Sequence, residues 1–173
     1  LNRQHLFEGE NRRPLVIVID DSWGAAHRWD ARVEAMTGLL SEAEDAGVDV
    51  VLLPTTLADA PVALEAAGAA LGRARAMVPQ PYGPDRPAAL ERLRQVVFET
   101  RPLVVWMSDG IDDGNAAAFA DGLGAIGELE TVVEASENAS VALLAPEADA
   151  AGLIVQVRRA QSGVAIGGLV RAL

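Results

Sequence analysis

Cysteine is absent from the 173 residues, and so is lysine: every basic residue is Arg. The first absence excludes disulfide scaffolding and thiol redox chemistry. The second removes P-loop phosphate binding, Schiff-base chemistry and any mechanism that needs an amine nucleophile. Aromatic residues make up only 4% of the chain, yet half of it is hydrophobic, so a core of Ala, Val and Leu is large enough for one folded domain and intrinsic disorder is excluded. No apolar run reaches the roughly 20 residues that cross a bilayer. The start, Leu1-Asn2-Arg3-Gln4-His5, has neither an initiator Met nor an apolar signal core, and the sequence is therefore expected to be a piece of a longer protein.

Charge is lopsided, with 25 acidic residues against 14 basic ones and a net charge of −11. The pI near 4.5 argues against a nucleic-acid partner, which would require a clustered positive face, and makes a cation the better guess.

Residues 1–13 are polar and aperiodic and read as a linker. Leu15 to Ile19 is an unbroken, mostly β-branched run that ends in Asp20-Asp21-Ser22, the pattern of a strand covered on both faces. A helix is expected from Ala26 to Ala46, with Trp29, Val33, Met36, Leu40 and Ala43 on its inner face and Gly47 at its C-cap. The alternation continues with a strand at Val48 to Leu53 and an Ala-rich helix between Pro61 and Ala76 that uses Leu64, Ala67 and Leu71. After a rigid loop from Pro79 to Pro84 comes a helix N-capped by Asp85, with Leu90, Leu93 and Val97 inward, ended by Pro102. Leu103 to Met107 is a third continuous strand, ending at Ser108-Asp109-Gly110. A helix on Phe119, Leu123 and Ile126 follows, then short strands at Thr131 to Glu134 and Val141 to Leu144. This order gives an α/β domain with a doubly wound, mainly parallel, Rossmann-type sheet over 14–147. Beyond it, 148–173 changes texture. Leu153 to Arg159 and Val164 to Val170 alternate around Gln161-Ser162-Gly163 as a β hairpin, either an edge addition or the start of a following β module.

Ligands of an open parallel sheet sit outside the carboxyl ends of its strands. Asp20, Asp21 and Ser22 leave the first strand there, and Ser108, Asp109 and Asp112 leave the third, an oxygen set suited to Mg²⁺, Mn²⁺ or Ca²⁺. Receiver-type phosphotransfer and haloacid-dehalogenase-type hydrolysis both need a Lys that the chain lacks. No Gly-x-Ser-x-Gly elbow is present, and His27 reads as a partly solvated residue of the first helical turn.

Asp20-Asp21-Ser22-Trp23-Gly24 resembles the D-x-S-x-S metal-ion-dependent adhesion site (MIDAS) of von Willebrand factor type A domains, and Trp106-Met107-Ser108-Asp109-Gly110 resembles their later strand ending in (T/S)-D-G. The resemblance spans roughly Pro14 to Pro146. Ile19 to Ala26, Trp106 to Asp112 and Val157-Arg158-Arg159-Ala160 are similar, more narrowly, to membrane-anchored bacterial envelope proteins of the aerotolerance-regulator (Bat-like) group. It implies a von Willebrand factor A-like fold, a domain on the periplasmic side of the inner membrane, and a parent anchored by N-terminal helices while this piece makes no membrane contact.

Carried over by position, Asp20, Ser22 and Asp109 match metal ligands, but Gly24 stands where a second Ser belongs and Gly83-Pro84-Asp85-Arg86 where a Thr ligand belongs. The implied site is degenerate, holding a divalent cation weakly or none. Arg86 is a rival for the cation's place through pairing with Asp20 or Asp109. The expected function is a non-catalytic protein-interaction module whose partner is a protein. A bound cation would accept a partner carboxylate; without one, Asp21, Trp23, Tyr82, Asp85, Arg86 and Asp112 form the partner-binding edge. The rival readings are a metal-assisted phosphohydrolase built on Asp20 and Asp109 and a structural spacer.

Overall fold

The structure is a computed structural model. It describes residues 12–56, 62–133, 141–143, 147–149 and 152–159. Five strands form one sheet: β1 (Leu15–Ile19), β2 (Asp49–Pro54), β3 (Glu65–Ala66), β4 (Leu103–Met107) and β5 (Glu128–Val132), in the order β3-β2-β1-β4-β5. All neighbours are parallel except β3, which runs antiparallel to β2. Among the described residues four α-helices accompany them: α1 (Trp29–Asp45), α2 (Ala67–Ala76), α3 (Arg86–Leu93) and α4 (Ala116–Ile126). The result is a Rossmann-like α/β architecture with a mostly parallel sheet.

The continuous apolar runs explain why β1 and β4 lie inside. Alternate residues of a strand face opposite sides, so burying both faces requires every position to be apolar. In β1, Leu15, Ile17 and Ile19 pack with Met36, Leu40 and Ala43 of α1 and Ala70 and Leu71 of α2. Val16 and Val18 face the other way, against Leu90 and Leu93 of α3 and Phe119 and Leu123 of α4. Two helices therefore cover each face. From β1 the chain winds outward to β2 and β3, then crosses back to β4 and β5, which puts the topological switch point between β1 and β4.

Several boundaries differ from expectation, each for a local reason. Before α1 the chain forms a 3-10 turn over Trp23–Arg28, begun by Ser22, whose side chain accepts the Gly24 N–H. The α1 C-terminus matches expectation: Gly47 has φ of +64°, its N–H reaches the Glu44 carbonyl, and the Val48 N–H reaches that of Ala43. The Ala-rich helix starts only at Ala67, because Glu65–Ala66 pairs with Asp49 and Val50, leaving Leu64 exposed. α3 stops at Leu93. There the chain winds tighter, with Gln95 N–H on the Arg92 carbonyl and Val96 N–H on that of Leu93, and Val97 is left 86% exposed rather than in the core. β5 begins at Glu128, three residues ahead of the expected strand.

Past β5, the described strands pair in two short antiparallel ribbons. β6 (Val141–Leu143) pairs with β9 (Val157–Arg159), and β7 (Glu147–Asp149) with β8 (Gly152–Ile154). Leu153 to Arg159 is thus divided between two strands rather than forming one arm of a hairpin, and Val164 to Val170 lies outside the described residues. No helix among the described residues is long and apolar enough to cross a membrane.

Candidate functional site

β1 and β4 are neighbours in register, with Ile19 opposite Met107, so the residues that follow them meet at the switch point. The ladder continues one step further through the Asp20 N–H on the Met107 carbonyl at 3.1 Å. Asp109 donates its own N–H to Asp20 Oδ2 at 3.2 Å, and Ser22 Oγ donates to Asp109 Oδ2 at 2.6 Å. The structure thus brings together the three residues read as metal ligands, and all three are buried.

A guanidinium stands between the two carboxylates. Arg86 Nη2 donates to Asp20 Oδ2 at 2.8 Å and to Asp109 Oδ1 at 2.9 Å. Its Nη1 donates to the Ile111 carbonyl and to Asp113 Oδ1, each at 2.9 Å. The side chain is 0% exposed, and its Cζ lies 5.4 Å from the centre of the Trp106 ring. Trp106 is fixed in turn by an edge-to-face contact with Phe119 and by its indole N–H on Asp20 Oδ2 at 3.3 Å.

The route by which an Arg reaches this position is local. Asp85 caps α3 by accepting the Ala88 N–H, and its own N–H is held by the Thr55 carbonyl at the end of β2. That pins the first turn of α3 over the carboxyl edge of the sheet. Pro87 follows in the first turn, where a missing N–H costs nothing, and Arg86 at the first helical position projects inward.

Burial raises the Asp109 carboxyl above its ordinary value, and the nearby Asp20 charge adds to the rise; the Ser22 and Ile111 donors and Arg86 oppose it. For Arg86, burial works against the charge, but its hydrogen bond to Asp20 and the charges of Asp20, Asp109 and Asp113 outweigh it, so its pKa is raised and it stays protonated.

The donor set does not fit a resident divalent metal ion. A metal between Asp20 and Asp109 would need the oxygens that Nη2 already holds, and among the described residues no group of three or more Asp, Glu, His or Cys side chains is arranged to hold one. Asp20, Ser22 and Asp109 converge with an arginine between the two carboxylates.

The edge residues divide into two groups. Asp21 and Arg86, expected at the partner-binding surface, are buried and cannot contribute to it directly. Asp21 points toward β2 rather than solvent: its carboxylate accepts the Thr56 N–H at 3.0 Å and the Thr56 hydroxyl at 2.7 Å, and burial raises its pKa despite those bonds. Trp23 and Tyr82, at 38% and 51% exposure, do reach the surface, and they are adjacent because the Trp23 N–H donates to the Tyr82 carbonyl at 3.3 Å. The Gln80 N–H on the Asp21 carbonyl at 2.6 Å fastens the same Pro-rich loop a second time. Asp85 and Asp112 are exposed; Asp112 accepts the Gly114 N–H of its own loop. His27 is exposed as expected.

Three participants escaped the sequence reading. Thr55 donates to Asp20 Oδ1 at 2.9 Å, Thr56 holds Asp21, and Asp113 rather than Asp112 reaches Arg86. The signal for the threonines was two consecutive hydroxyls directly after a strand-stopping Pro, at the edge where the acids had already been sought.

No protein-family model matches the chain, and no curated protein matches it. A solved structure of proximal thread matrix protein 1 from the mussel byssus is similar at 18% identity and a TM-score of 0.49 over 70% of this chain. The match spans about a third, 34%, of that protein's own length.

Proposed function

We propose that this chain is a von Willebrand factor A-like, non-catalytic protein-interaction module in which Arg86 replaces the adhesion-site cation. In this reading it is the periplasmic domain of a membrane-anchored bacterial envelope protein, and it uses no metal cofactor. The observation that carries the reading is the fully buried guanidinium bridging Asp20 and Asp109 at 2.8 and 2.9 Å. The adjacency of β1 and β4, with both acids at their carboxyl ends, supports the family resemblance. Hydrolysis assisted by a metal has less support, because it needs an open coordination position next to the same two carboxylates. A spacer role has less support than interaction, because Tyr82 stands exposed on a loop tied down by two backbone bonds and Trp23 stands exposed in the adjoining 3-10 turn, side chains of the kind that anchor interfaces.

Isothermal titration of the chelator-treated domain with Mg²⁺, Mn²⁺ and Ca²⁺ tests this. The expected result is no saturable binding at millimolar cation and no turnover of a generic phosphoester with any of the three. Saturable binding that an Asp20→Ala, Asp109→Ala variant abolishes would overturn the reading.

A further inference from the structure

The identity of the central cation sets the charge of the partner. A divalent cation between two carboxylates leaves a neutral centre that accepts one carboxylate more. A guanidinium carries a single positive charge, so between the same two carboxylates it leaves the centre negative, and Asp113 makes it more so. All four terminal hydrogens of that guanidinium have acceptors: Asp20, Asp109, Ile111 and Asp113. The remaining Nε–H is buried without a partner, so an incoming carboxylate finds no exposed donor on the guanidinium and meets a negative potential. Around the same edge stand Asp85 and Asp112, both exposed, and Asp113, whose side chain is 26% exposed. The buried Arg32 is turned to the Met107 and Ser108 carbonyls, and Arg28 is the exposed cation of the adjoining 3-10 turn.

Resting on the interaction-module reading, we propose that this edge docks a cationic protein segment, one presenting Arg or Lys, with its charged head over Trp23 and Tyr82 and paired with Asp85 and Asp112. Charge complementarity selects this occupant over an acidic one. The aromatic faces add a cation–π component that an acidic or neutral segment lacks. The loop from Met77 to Asp85 carries Pro79, Pro81 and Pro84 and is bonded through Gln80 and Tyr82 to residues 21 and 23, so little conformational freedom is lost on docking.

The test uses three short peptides of equal length, alternating Ala with Arg, with Glu or with Ser, titrated at roughly 0.15 M salt, where long-range attraction to an acidic protein is largely screened. Binding is read by calorimetry and by fluorescence, Trp23 being the exposed one of three tryptophans. The Arg peptide is expected to bind at least about tenfold more tightly than the other two. Trp23→Ala with Tyr82→Ala, and separately Asp85→Asn with Asp112→Asn, should each weaken it about tenfold. Glu34→Gln, an exposed acid on α1, should leave it unchanged. Tighter binding of the Glu peptide, or Arg-peptide binding that neither pair of changes weakens, overturns the proposal. A parallel Mg²⁺ titration separates the two failures: saturable Mg²⁺ binding removes the reading of the site itself, whereas no Mg²⁺ binding together with no Arg-peptide binding removes only the cationic partner.

Discussion

Arg86 and Asp20 form an ion pair at 2.8 Å in which neither side chain has any exposed surface. Such a pair contributes little net stability when intact, since desolvation offsets most of the attraction, but it is costly to break from one side. The fold therefore depends on Arg86 because of what its loss would strand.

Arg86→Met should destabilise the domain by about 3–5 kcal/mol, leaving Asp20 and Asp109 buried without their cation. Arg86→Lys should lose less, since an ammonium keeps the charge but not the fork that reaches both carboxylates and the Ile111 carbonyl. Adding Asp20→Asn and Asp109→Asn to Arg86→Met should recover part of the loss. Urea denaturation of the four proteins checks the order, and an Arg86→Met protein as stable as wild type would contradict the pairing.

The raised Asp109 and Asp21 carboxyls have a definite sign. Their contribution to stability is fully present below the unfolded value of 3.8 and is lost as pH rises through their higher folded values, because the unfolded chain releases these protons first. Glu128, lowered by its hydrogen bond from Arg13, acts oppositely and only below 4.5. Asp109→Asn should therefore flatten the fall in stability as pH rises above 3.8. Unfolding curves across that range would refute this if the wild-type and variant slopes coincide.

A hydroxyl added at position 24, where the resemblance expects a Ser, should not by itself create a metal site. A Cβ at Gly24 would lie 3.1 Å from Asp109 Oδ2 and 3.3 Å from Ser22 Oγ, so a Ser there joins the right cluster, and its 2.5 Å approach to Ile111 Cδ1 is relieved by moving a flexible side-chain end. Gly24→Ser should cost about 1 kcal/mol and bind no divalent cation. Combined with Arg86→Ala it should bind Mg²⁺ or Mn²⁺ saturably, as calorimetry would report.

Thr56→Val removes the hydroxyl donor from the buried Asp21 carboxylate while keeping the side chain's shape. The expected loss is about 1–3 kcal/mol, measured as a lower urea midpoint with an unchanged m value. A change in m instead would mean that the β1–β2 edge reorganises.

Much of this arrangement was legible beforehand, and the gaps have physical causes. Leu15 to Ile19 and Leu103 to Met107 could be read as buried strands because only a two-sided environment tolerates five consecutive apolar residues. The pairing of Asp20 with Asp109 follows from strand order, to which the resemblance pointed and which no local pattern contains. Arg86 was seen as a rival for the cation but also placed on the partner surface, since an Arg beside Asp and Pro in a loop has nothing local to mark it as buried. Val97 was misplaced because helical spacing continues in the letters after the backbone has tightened at Leu93. Asp113 and Asp112 are equivalent in sequence; only the turn with Gly114 at a φ of +89° decides which one faces inward.

A cation joined to the chain by covalent bonds has no dissociation constant toward its surroundings. Chelators cannot strip Arg86, dilution cannot empty its position, and competition among ions outside the protein cannot change its occupancy. Whatever modulates this edge must act by displacing the neighbours of Arg86 rather than by varying the supply of an ion. In this chain, then, the central charge is inherited with the sequence and is complete as soon as α3 docks.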